Sequence, residues 1–112
     1  MGIDKRQEGE VSIVKFSGKI TIGGGQVGIR DSVLEELANG SLKLLLDFEE
    51  VTMIDSTGIG ELVAGLVAVN NRGGSLKLLK VPEKMDHILE LTQLKSQFEQ
   101  YPTEEEALSS FE

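Results

Sequence analysis

Asp55-Ser56-Thr57-Gly58 is the segment of this 112-residue chain whose residue types and order could do chemistry. It follows the nearly continuous apolar stretch Leu42 to Phe48 and the hydrophobic Val51, Met53 and Ile54, and leads into Ile59, Leu62, Val63 and Leu66, which recur at a helical period. A hydroxyl there stands at a helix N-terminus, where backbone N–H groups and the helix dipole favour an added negative charge. Nucleophilic catalysis would need a base beside the hydroxyl. His87 is the single histidine, and its neighbour Asp86 is adjacent on a helix, where consecutive residues do not face each other. No cysteine is present, which removes thiolate nucleophiles, disulfides and Cys-based metal sites together. Scattered carboxylates with one histidine make no metal site, and Glu104-Glu105-Glu106 reads as a solvated helix start favoured by the dipole. The hydroxyl at Ser56 therefore suits a substrate better than a nucleophile. Thr57 is the second acceptor, with its side chain expected at the helix start, and Asp55 orients the loop. On its own the tetrapeptide is also an ordinary helix cap, worth about 1 kcal/mol. Its setting favours modification: Val51, Met53 and Ile54 pin it, and Gly58-Ile59-Gly60 lets the backbone come close to an approaching molecule.

A second constellation is Gly23-Gly24-Gly25-Gln26-Val27-Gly28, which satisfies G-x-G-x-x-G between a predicted strand and a predicted helix. Asp47 even stands near the place of a ribose-binding acid. A dinucleotide fold needs two βαβ halves, about twice this length, and the strand before the glycines reads as a hairpin partner. A flexible βα loop is the preferred reading, with no cofactor. Gly24 and Gly25 join Asp55, Ser56, Thr57, Gly58, Ile59 and Gly60 as the expected partner-binding surface.

Composition narrows the partners. Nineteen acidic residues against 11 basic ones give a formal charge of −8, which repels nucleic acid and anionic membranes. No Trp and one Tyr leave no platform for stacking bases. No apolar run approaches the roughly 20 residues that span a bilayer, and Met1 to Arg6 has no apolar leader segment. A cytoplasmic address is expected, with a protein as partner and the oligomeric state open.

The elements that must position Ser56 follow from periodicity. Ile3 to Gln7 reads as an edge strand turning at Gly9 into a longer strand from Val11 to Ile22, whose inward face changes phase near Ile13 and Val14. Ile29, Val33 and Leu37 mark a helix stopped by Asn39-Gly40. Leu42 to Phe48 reads as a central strand covered on both faces, followed by a short crossing to Asp55. Gly60, Ala64, Gly65 and Ala68 predict close packing of the next helix on the sheet. A strand from Ser75 to Val81, a helix after Pro82, a short strand near Phe98 to Tyr101 and a helix capped by Thr103 complete the chain. The order β-β-α-β-α-β-α-β-α predicts a single α/β domain over residues 1–112. It is a mixed sheet of four to five strands with helices mainly on one face.

The segment Leu44 to Leu62 closely resembles the STAS domain of bacterial anti-sigma factor antagonists. Asn71-Arg72-Gly73-Gly74-Ser75-Leu76-Lys77-Leu78 resembles that family's turn into its next strand, and Ile88 to Phe111 its closing elements. Thr21 stands where members commonly carry an acidic residue. The resemblance implies a non-enzymatic switch. An anti-sigma factor that is also a serine kinase phosphorylates Ser56, the unmodified form binds that kinase and frees a sigma factor, and a serine phosphatase resets it. The alternatives are a scaffold STAS protein of a multi-protein signalling or stress complex, and a nucleotide-binding domain using Gly23 to Gly28.

Overall fold

A computed structural model describes residues 2–21 and 28–112. Five strands form one sheet in the order β1-β2-β3-β4-β5: β1 (Gly2–Glu8), β2 (Val11–Ile20), β3 (Lys43–Ile54), β4 (Ser75–Leu79) and β5 (Gln100–Tyr101). β1 is antiparallel to β2, and every other neighbouring pair is parallel. The helices are α1 (Ile29–Ala38), α2 (Ser56–Asn71), α3 (Glu83–Leu91) and α4 (Glu104–Ser110). Parallel neighbours require a crossover, and α1, α2 and α3 provide them. The C-terminal ends of β2, β3 and β4 therefore share one pole with the N-terminal ends of α1, α2 and α3.

Alternation along β3 decides the layers. Leu44, Leu46 and Phe48 face α1, α2 and α3, in a core with Val33, Leu62 and Leu89. Phe48 stacks on Phe16 of β2, with ring centroids 5.4 Å apart. Leu45 points the other way, joining Val11, Ile13 and Leu79 beneath Ala107 and Phe111 of α4. Three helices thus cover one face and the short α4 covers the other. α4 is held there by Lys77, a buried lysine whose Nζ donates to the Ser110 carbonyl at 2.8 Å and to Ser110 Oγ at 2.9 Å.

Two expectations need correction. β2 does not change phase at Ile13 and Val14; it alternates normally, and both residues are buried because both faces are covered. The irregularities lie further along, where the β2–β3 register shifts between Lys15 and Ser17 and again between Gly18 and Lys19. β3 contributes the extra residue each time. Those insertions return Val51 and Ile54 to the core side, leaving Glu49, Glu50, Thr52 and Met53 exposed. No crossing follows Phe48 either: β3 continues to Ile54, and the buried Asp47 Oδ1 accepts the Glu49 N–H at 2.9 Å where the register first shifts. Asp47 is thereby committed to its own strand and lies seven residues before the strand's end, away from any ribose-binding position.

Candidate functional site

Helix α2 starts where β3 stops, and Asp55 makes the junction. Its backbone is extended, with φ −108° and ψ −175°, and its Oδ1 accepts the N–H groups of Thr57 at 3.0 Å and Gly58 at 3.1 Å. The Asp55 N–H donates to the Ile20 carbonyl at 3.2 Å, so the cap is fastened to the end of β2. Two amides that the helix leaves without intrahelical acceptors are thus satisfied by Asp55. Ser56 is the first helical residue and is not the cap.

Ser56 and Thr57 are both exposed. Among the described residues, neither hydroxyl forms a hydrogen bond. The Thr57 side chain is not committed to the helix start as expected; only its backbone N–H is. Gly58 is buried, and a Cβ there would lie 2.7 Å from Ile54 Cγ1 and 3.0 Å from the Ile20 carbonyl oxygen. The close approach that this glycine permits is that of α2 to the ends of β2 and β3. Ile59 is buried in the main core. The outward surface of the expected site is thus carried by Ser56, Thr57 and Gly60, with Asp55 half-buried. Gly24 and Gly25 lie outside the described residues.

Gly60 and Gly65 divide the roles expected of the small-residue stripe. A Cβ at Gly65 would lie 3.2 Å from Val33 Cγ2, so this glycine lets α2 pack on α1, not on the sheet. Gly60 has open space around it and, with Arg30, Leu34, Thr57, Glu61 and Ala64, lines a shallow groove between the two helices. On the other side of the Ser56 junction, Met53 is 53% exposed and borders an apolar cleft of about 350 Å³ between the end of β3 and the start of α3.

Glu61 is a residue that sequence reasoning missed. The N-cap of α1 is Gly28, which has no side chain to offer, and Glu61 Oε1 from α2 accepts the Arg30 N–H at 3.3 Å instead. A Cβ on Gly28 would collide with that carboxylate. The available signal was a helix start with no Ser, Thr, Asp or Asn before it.

The remaining candidate groups stand apart. His87 is exposed on α3, and Asp86 is engaged by Lys95 Nζ at 2.9 Å and Gln100 Nε2 at 3.2 Å. The Lys95 ammonium holds the Asp86 carboxyl below its ordinary range, against an opposing effect of burial. Among the described residues no group of acids and histidine is arranged to hold a metal ion. None of the described helices is long and apolar enough to cross a membrane. Strand β2, which precedes the glycine-rich segment in sequence, is a buried parallel partner of β3 as well as a hairpin partner of β1, so its predicted hairpin role describes one edge only.

An α/β domain with one antiparallel edge strand, whose central strand runs into an Asp-capped helix headed by an exposed serine, defines the architecture. The family model for the STAS domain matches residues 2–107, and the chain belongs to that family. It is 30% identical over 95 residues, 85% of both chains, to the anti-sigma-B factor antagonist of Bacillus subtilis (strain 168). A solved Thermotoga maritima structure, described as that of a candidate anti-sigma factor antagonist, superposes with a TM-score of 0.87 at 27% identity, covering 96% of this chain and 92% of that one. The same fold occurs in the anti-sigma factor antagonist SpoIIAA in its unphosphorylated form, with TM-score 0.75, 18% identity and coverage of 98% and 97%.

Proposed function

We propose that this chain is an anti-sigma factor antagonist, a non-enzymatic binding protein controlled by phosphorylation of Ser56. In the unmodified state it binds an anti-sigma factor that is also a serine kinase, and a serine phosphatase reverses the modification. The observation that carries this reading is the division of labour at the head of α2. Asp55 takes the capping role, so the Ser56 hydroxyl is exposed and uncommitted on a backbone anchored to β2. A kinase can engage such a hydroxyl without first breaking a structural hydrogen bond. The names of the similar proteins point the same way, and SpoIIAA is described in a phosphorylated as well as an unphosphorylated form.

A phosphoryl group adds about −1.5 to −2 charges and three acceptor oxygens. On a surface of net charge −8, that addition opposes docking of an acidic or apolar partner face. The docking surface in this reading comprises Ser56, Thr57, the outer face of α2 along Gly60 and Ala64, and Gly24 and Gly25, which lie outside the described residues. Incubation with the captured partner and ATP should add one phosphoryl group at Ser56, read by mass spectrometry of the peptide. Ser56→Ala should gain none. Modification of another residue with Ser56 untouched would defeat the assignment.

A further inference from the structure

The two edges of the sheet differ. β5 is two residues long, whereas β1 presents seven residues in unbroken register with β2 and contains no proline. Among the described residues the β1 backbone bonds to β2 alone, so its outer row of N–H and C=O groups is unpaired, and six of its seven residues are exposed. Such a row is a template for another strand. A closed pair of identical chains has a two-fold axis, and edge-to-edge pairing across that axis is antiparallel.

Side chains on β1 alternate between the two faces of the sheet. Lys5 reaches α1, with Nζ 2.8 Å from Glu35 Oε1 and 3.3 Å from Glu36 Oε2, and Ile3 packs on the main core on that same face. Asp4 and Arg6 share the opposite face. There Arg6 Nη1 donates to Glu8 Oε1 at 3.2 Å and Nη2 donates to Glu104 of α4. These bonds fix the guanidinium and leave further N–H donors of its fork unused. Asp4 forms no ion pair or hydrogen bond among the described residues.

We propose that β1 is a self-association edge, to which a second copy of this chain adds its own β1 antiparallel, centred on Lys5, in one sheet continuous across both copies. In that register all seven residues pair, and Asp4 of each copy stands opposite Arg6 of the other. Facing side chains must lie on the same face of the sheet, which restricts the centre to a residue and excludes the midpoint between two. Centred on Asp4, the pairing would set Asp4 against Asp4. Centred on Arg6, it would set Arg6 against Arg6 and Asp4 against Glu8. Charged edges ordinarily repel a second strand, and these shifted registers do so, while the register on Lys5 brings opposite charges together. The two Lys5 side chains that meet at the axis are each already drawn to two acids of α1. The contact is small, so the dimer is reversible and concentration-dependent. Helix α1 meets β1 through Lys5 and α2 through Val33 and Gly65, and so stands between the shared edge and the helix headed by Ser56. Nothing in the pairing depends on modification of Ser56.

The test is sedimentation velocity of the full chain over a concentration series. It compares wild type with Asp4→Arg and Arg6→Asp, each alone, the two mixed in equal amounts, and both substitutions combined in one chain. Amide spectra confirm the fold of each, including α4 where Arg6 is changed. Wild type should rise from 12.2 kDa toward twice that mass as concentration increases. Each single variant sets like charges opposite one another and should stay monomeric at concentrations where wild type has doubled its mass. The equimolar mixture restores both opposite-charge pairs, as does the combined variant, and both samples should associate as wild type does. A wild type that is monomeric throughout, single variants that dimerise like wild type, or a mixture that stays monomeric would each overturn the proposed edge.

Discussion

The Asp55 carboxylate accepts the Gly58 amide at 3.1 Å across the first turn of α2, and Gly58 in turn has no room for a side chain against Ile20 and Ile54. One residue of this pair fixes the helix start and the other lets it lie on the strand ends. Ser56 and Thr57, between them, are left facing outward.

Removal of the cap should weaken the fold without touching the hydroxyl. Asp55→Ala leaves two helix-start amides without their acceptor and should cost about 1 kcal/mol, within a range of about 0.5–2. Asp55→Asn keeps an oxygen acceptor and should lose less. Urea unfolding of the three proteins, with an unchanged slope, checks this order.

Gly58 and Gly60 should respond oppositely to the same substitution. In Gly58→Ala the new Cβ meets the Ile20 carbonyl, a backbone atom that cannot rotate away, and overpacking of this kind costs about 1–3 kcal/mol. In Gly60→Ala the Cβ enters open space inside a helix, where alanine is favoured over glycine by about 1 kcal/mol. Thermal midpoints should therefore fall for the first variant and rise for the second.

The Asp86–Lys95 pair predicts a pH dependence on the acid side. The folded Asp86 carboxyl ionises below its ordinary value, chiefly because Lys95 donates to it. The unfolded chain consequently binds more protons in this range, and stability rises with pH there. The contribution is fully present above the unfolded value near 3.9 and is lost as pH falls through the lower folded one. Asp86→Asn should lower the urea midpoint at pH 7, and its gap from wild type should be smaller at pH 3. A constant gap at both pH values would contradict the assignment.

Much of this architecture was legible because the hydrophobic period changes cleanly from strand to helix at Ile29, Ile59 and Met85. The cap at Thr103 was legible too, and its Oγ1 accepts the Glu106 N–H at 3.2 Å. The path of β3 was not. Glu49 and Glu50 break the apolar run as a loop would, yet they mark the exposed part of an irregular strand whose inward face is restored at Val51. A local pattern cannot distinguish a crossing from an inserted residue when both present acids to solvent. Glu61 was invisible for a different reason, since its carboxylate serves an amide 31 positions away and only the packed helix pair reveals it. Gly58 and Gly60 look alike in the sequence, and only the ends of β2 and β3 tell them apart.

The central claim is that the charge state of Ser56 decides partner binding. Its most direct measurement is the recovery of a kinase-like partner from native extract by wild type, Ser56→Ala and Ser56→Glu. Ser56→Ala should retain the partner as well as wild type does, and Ser56→Glu should lose it. Equal recovery by the two variants would contradict the account.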